Sequence, residues 1–213
     1  MDTVRKALFW HLAVVGVTIS FATDAHAQSE IRSQYTATPP KIEGQISSAE
    51  WQPAQRIEVQ ARGGSARCEF MLMNDEEFLY VGVSAVDDTT NTTSASTLTS
   101  GFDNMAIWFR GDVGYWVYGN GRLRTDKIDA SSRTFSRFAS RSKAAVVGPP
   151  SAPHMMYQLR IPLAEIGVSA GDSVAIGLHY WDNYDQGPSC WWPANVGVYA
   201  PARYGVMQTS RRP

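Results

Sequence analysis

The sequence predicts an all-β fold, a sandwich of two antiparallel sheets, and three observations predict it. Short apolar runs alternate with polar neighbours at a period of two. Clusters of glycine, proline, asparagine and aspartate separate those runs. Few helical patterns lie between them, which argues against the strand–helix alternation of a parallel sheet.

The elements follow in chain order. Arg5 and Lys6 open the chain, an apolar stretch runs from Ala7 to Phe21, and Ala25-His26-Ala27 stands just before Gln28. A basic end, an apolar centre and a small-residue cleavage site describe a secretory signal over residues 1–27. The rival reading is a membrane anchor, but His11 and Thr18 interrupt a stretch already short for a span of about 20 apolar residues. Residues 28–40 are polar and end in Pro39-Pro40, which suits neither a helix interior nor a central strand, so they read as a leader segment. One domain over 41–213 is then expected, with a length that suits one core.

Within it, Ser47 and Glu50 match a capping box, and Pro53 keeps any helix there short. Cys68, Phe70 and Leu72, then Leu79, Val81, Val83 and Ala85, alternate as strands do. Further strands are expected over Met105 to Phe109, Tyr115 to Tyr118, Ala144 to Val147, Met155 to Ile161, Val174 to Trp181, and Tyr204 to Gln208. Pro162 and Gly167 bracket a single helical turn. Asp87 to Gly101 is almost all threonine, serine and asparagine, and reads as a surface loop. Arg133, Arg137 and Arg141 fall four apart, a spacing that would align them on one side of a helix but is also common in a solvated face or loop.

Charge points to no polyanionic partner. Loss of residues 1–27 would remove Arg5 and Lys6 from 19 basic residues, and Asp2 and Asp24 from 20 acidic ones, which leaves 17 against 18. A net charge of −1 gives no general attraction to nucleic acid or to an acidic membrane. Cys68 and Cys190 are the two cysteines, and an exported chain meets conditions in which they can join. Two buried thiols are the alternative.

Catalytic motifs are missing. Of four histidines, His11 and His26 would leave with the signal, so His154 and His179 remain. There is no zinc-protease helix motif, nucleophile elbow, phosphate loop or haem attachment motif. Acidic pairs such as Asp182 and Asp185 suit turn-end caps better than an acid–base pair.

Tryptophan carries more information. Val174, Ile176 and Leu178 share one strand face, which puts His179 and Trp181 on the other. The same parity turns Met105, Ile107 and Phe109 inward and Trp108 outward, while the choice between Tyr115 with Val117 and Trp116 with Tyr118 stays open. Sugars stack their C–H faces on flat rings, and polar neighbours bond their hydroxyls. Trp108, Trp116, His179, Trp181, Asp182, Asn183, Trp191 and Trp192 are the candidate ligand residues. The alternative use of these rings is the core itself, or a face covered by another segment. Asp87, Asp88, Asp182 and Asp185 offer clustered oxygens at strand ends for calcium, or caps for the turns there.

Several segments together resemble carbohydrate-binding module family 9 and the wider group of DOMON-like sandwiches. PPKIEGQISSAEW, from Pro39 to Trp51, is similar to the family's opening turn. LYVGVSAVDD from Leu79, FDNMAIWF from Phe102, YQLRIPLAEIGVSAGDSVAIGLHYWDN from Tyr157, WWP from Trp191 and YG from Tyr204 continue it in order. The resemblance implies a two-sheet sandwich, saccharide binding without catalysis, and often bound calcium. It also marks departures: Ser100 stands where sugar-binding members carry a tryptophan, Ala106 where they carry an acidic residue, and Val198 and Tyr199 near a second clamp tryptophan. Two other classes stand beside this one. Some DOMON-like sandwiches hold a b-type haem through methionine with lysine or histidine, which His154-Met155-Met156 invites, and an aromatic face also suits a protein-interaction subunit.

Overall fold

The computed structural model describes residues 29–61, 67–90, 103–182 and 189–213. Among them the strands are β1 (Glu30–Arg32), β2 (Gln34–Tyr35), β3 (Gln55–Gln60), β4 (Arg67–Asn74), β5 (Phe78–Ala85), β6 (Asn104–Phe109) and β7 (Val113–Tyr118). β8 (Leu123–Asp129), β9 (Thr134–Arg137), β10 (Lys143–Val147), β11 (Met155–Pro162), β12 (Ser173–Trp181), β13 (Cys190–Trp192) and β14 (Gly205–Gln208) follow. One sheet runs β1-β14-β12-β6-β7-β8-β9, with β13 also against β12; the other runs β10-β11-β5-β4-β2, with β3 also against β4. The all-β sandwich is therefore as expected. Its pairing is antiparallel except at two places, where β1 lies parallel to β14 and β2 parallel to β4.

Those two pairs correct the leader expected over 28–40. Glu30–Tyr35 passes from one sheet to the other and adds an edge strand to each, so this polar segment is part of the sandwich. Edge strands carry few core residues, and only Ile31 of β1 joins the main core.

The main core lies between the sheets and follows strand parity. Phe70, Leu72, Val81, Val83, Tyr157 and Leu159 meet Met105, Ile107, Phe109, Tyr115, Val117, Ile176, Leu178 and Tyr180. This settles the aromatic strand: Tyr115 and Val117 point inward, and the Tyr115 hydroxyl donates to Glu165 at 3.2 Å. The Cys68–Cys190 disulfide crosses between the sheets, from the start of β4 to the start of β13.

Two local expectations meet their physical causes. The Glu50 N–H donates to Ser47 Oγ at 3.2 Å and the Ser47 hydroxyl returns to Glu50, but Pro53 leaves only turns there. Leu163–Ile166 forms a single 3-10 turn between Pro162 and Gly167, whose left-handed φ of 69° suits glycine. The arginine spacing over Arg133 to Arg141 has another origin, since Thr134–Arg137 is an exposed strand and not a helix. No helix among the described residues is long and apolar enough to cross a membrane.

Candidate functional site

The outer face of the larger sheet gathers most of the tryptophans. Cross-strand register sets Trp191, His179, Ala106, Trp116 and Arg124 in one row across β13, β12, β6, β7 and β8. One pair of residues nearer the strand ends, Trp181, Asn104 and Tyr118 form a second row. Period-two alternation puts both rows on the side away from the core.

Glycine lets large rings lie flat on this face. A Cβ on Gly114 would come within 2.4 Å of the Trp116 ring, and one on Gly177 within 3.1 Å of Trp108 and 2.8 Å of Val196. The face is thus split in two. Over Trp108, Gly177 and Ala175, Val196, Val198 and Tyr204 pack down as a cover. Beyond that cover, Trp181 is 42% exposed and Trp116 and Trp191 are partly exposed.

That cover corrects part of the aromatic platform. Trp108 and His179 do point away from the core, yet both are buried, Trp108 at 5% exposure. Trp192 also leaves the platform: it pairs with inward-facing Leu178, packs on the main core and lies over Gly205. Asn183 lies outside the described residues.

His179 stands among three tryptophans, with ring centroids 5.6 Å from Trp108, 5.8 Å from Trp181 and 5.7 Å from Trp191. Burial pushes its pKa down to about 3, so the ring is neutral near pH 7. Trp108 Nε1 and His179 Nε2 are buried without a hydrogen-bond partner among the described residues.

Arg124 adds the charge. Its guanidinium lies 5.6 Å from the Trp116 ring centre and 5.5 Å from that of Phe135, within cation–π range. It pairs with Asp126, a buried carboxylate that Arg137 also approaches at 3.3 Å. Phe135 continues to Tyr199 at 5.6 Å, and both rings are partly exposed. Asn104, Tyr118 and Arg124 were absent from the sequence candidates. Parity with Ala106 and Trp108 gave Asn104 a signal, whereas Tyr118 lies on the strand whose parity the sequence leaves open and Arg124 on β8, over which no strand was expected.

The acidic candidates part company. Asp88 and Asp182 meet at the end of the sandwich beside Trp181, and the third carboxylate there is Asp103, which sequence reasoning missed. Asp87 turns the other way, accepts the Arg67 N–H at 2.8 Å and lies 3.7 Å from its guanidinium. Asp185 lies outside the described residues. His154 Nε2 hydrogen-bonds Ser84 Oγ at 2.7 Å, and Met155 is fully buried in the main core.

No protein-family model matches the chain, and no curated protein matches it by sequence. Solved structures do. A carbohydrate-binding module of family 9 from Caldicellulosiruptor kristjanssonii, in complex with cellotriose, superposes with a TM-score of 0.65 at 16% identity, over 87% of this chain and 95% of that one. The same module in complex with glucose gives 0.66 at 16% identity, over 87% and 97%. A Bacteroides uniformis protein, provisionally described as carbohydrate-binding, gives 0.60 at 11% identity, over 87% and 100%. The chain therefore has the fold of a family 9 carbohydrate-binding module.

Proposed function

We propose that this chain is an exported, non-catalytic module that binds a saccharide on the uncovered half of the outer face of its larger sheet. The observation that carries the reading is the pair of rows in which exposed or partly exposed Trp181, Trp116 and Trp191 flank Asn104, Tyr118 and Arg124. Flat rings supply the stacking surface for the C–H face of a sugar. An amide, a phenol and a guanidinium beside them supply the directed hydrogen bonds that orient its hydroxyls.

The family's clamp tryptophans are absent from the matching positions, so Trp181 takes the stacking role here. Arg124 is held by Asp126 and packed on Trp116, which orders the guanidinium before a ligand arrives. Support for the ligand class comes from the fold, since two structures of like fold hold cellotriose and glucose. Export rests on residues 1–27, with the basic start and Ala25-His26-Ala27 as its support.

The test is an NMR titration of the indole N–H signals, with cellotriose as the first probe and a wider oligosaccharide set after it. The Trp181 and Trp116 signals should shift with saturation, while Trp51, fully buried in a separate cluster on the other sheet, should stay still. Shifts confined to Trp51, or none with any saccharide, would reject the site.

A further inference from the structure

We propose that Arg124 and Arg137, joined through Asp126, form an anion subsite at the β8–β9 end of the aromatic face, so that the saccharide bound there is acidic and carries the carboxylate of a uronic acid. The inference rests on the saccharide reading above and adds the charge of the ligand to it. Register sets Arg124 opposite Trp116, Asp126 opposite Arg137 and Ile128 opposite Phe135. Ile128 and Trp116 pack in the outer cluster of the larger sheet, so period two turns Arg124, Asp126, Phe135 and Arg137 to the same outward side.

The charges on this patch do not balance. The Asp126 side chain is 1% exposed, and a buried carboxylate needs a counter-charge to stay ionised. Arg124 Nε supplies it with a hydrogen bond to Oδ2. Arg137 Nε lies 3.3 Å from Oδ1 as a second ion pair, yet donates no hydrogen bond among the described residues. Two guanidiniums against one carboxylate leave one positive charge over. The Arg137 side chain is 60% exposed, and its five N–H donors form the planar fork that fits a carboxylate in two parallel bonds. The net charge of −1 over the whole chain hides this local surplus.

Rings and cations alternate along the patch. Phe135 stands 5.6 Å from Trp116 and 5.6 Å from Tyr199, with the Arg124 guanidinium over Trp116 and Phe135 and that of Arg133 5.8 Å from the Tyr199 ring. Arg133 has a left-handed φ of 55°, a backbone state in which glycine is the easier residue. Asp129, the other carboxylate of β8, is turned to Ser131 and Ser132 in its own turn. A pyranose ring can therefore lie on an exposed aromatic ring while its carboxylate meets a guanidinium, a contact that a neutral sugar has no group to make.

The experiment is calorimetric titration of the mature chain at pH 7 with trigalacturonate and trimannuronate, each beside its neutral methyl ester, and with cellotriose. At least one acid should bind about ten- to a hundredfold tighter than its ester, the gain expected of a charge-assisted pair of hydrogen bonds. The preference should shrink as sodium chloride rises from about 50 to about 500 mM. Arg137→Gln should lose the preference with Tm near that of the parent, because Arg124 still pairs with Asp126. Arg211→Gln removes the same charge beyond β14, at the other side of the sheet, and should keep it. Arg133→Gly eases the backbone and should hold or raise Tm while weakening the acid several-fold, which a merely structural arginine would not do. Equal affinity for acid and ester would overturn the inference and leave the saccharide site standing. An acid preference that persists in Arg137→Gln would overturn it too. So would a tri-glutamate peptide or a short thymidine oligomer bound as tightly as the acid, which would mark a general polyanion surface. Binding of none of the saccharides, cellotriose included, would reject the saccharide reading and this inference with it.

Discussion

Truncating two tryptophans on the same sheet face should have very different costs. Trp108 is 5% exposed beneath Val196 and Tyr204, whereas Trp181 is 42% exposed at the end of the neighbouring strand. A buried tryptophan removes about 200 Å² from water, which at ~25 cal/mol per Å² is roughly 5 kcal/mol of transfer free energy at most. Trp108→Ala also leaves a cavity below the cover, so about 3 to 5 kcal/mol of stability should be lost. Trp181→Ala opens onto solvent, leaves no closed cavity, and should cost about 1 to 2 kcal/mol. Since 1 kcal/mol moves Tm by about 2–4 °C in a chain of this size, Trp108→Ala should melt roughly 10 °C below the parent, and Trp181→Ala within a few degrees of it. Thermal and urea melts followed by circular dichroism give both numbers. Equal losses, or a larger loss for Trp181→Ala, would refute the division of this face into covered and open halves.

Three other outcomes are expected. Reduction of Cys68–Cys190, or the double change to serine, should lower stability by about 2 to 4 kcal/mol in denaturant melts, because the bridge closes a long loop across both sheets; an unchanged midpoint would contradict a formed bridge. His179 has its folded pKa depressed to about 3 by burial, below an ordinary value of 6.5, so its contribution is complete above pH 6.5 and is lost as pH falls toward 3. Over that window stability should fall by up to about 1.4 kcal/mol per pH unit from this group, and His179→Gln should flatten the slope between pH 6.5 and 4.5 in urea titrations. Mass spectrometry of exported material should find Gln28 at the N-terminus, and an intact Met1 there would reject the signal.

Strand parity made much of the fold and part of the site legible. Val174, Ile176 and Leu178 alternate cleanly because one face of β12 meets the core, and that alternation alone turned Trp181 outward. β9 and the short β1 and β2 carry too little apolar alternation to read locally, since an edge strand buries few side chains. β3 alternates only between half-buried and exposed residues, and it too was missed. The burial of Trp108 depends on residues 193–204 folding back over Gly177, a contact that no local pattern encodes. Asp103 meets Asp182 through the β6–β12 register, in which Asn104 faces Trp181, and meets Asp88 only once the two sheets stack. The same stacking decides the disulfide, which spacing could not.

Saccharide binding at Trp181 is tested without intermediaries by calorimetric titration of a saccharide panel, cellotriose and glucose included, into the parent and into Trp181→Ala at equal protein concentration. The parent should bind at least one saccharide, and Trp181→Ala should lose about 1 to 3 kcal/mol of that affinity with its fold intact. A parent that binds no saccharide, or a folded Trp181→Ala variant with undiminished affinity, would show that this face is not the binding site.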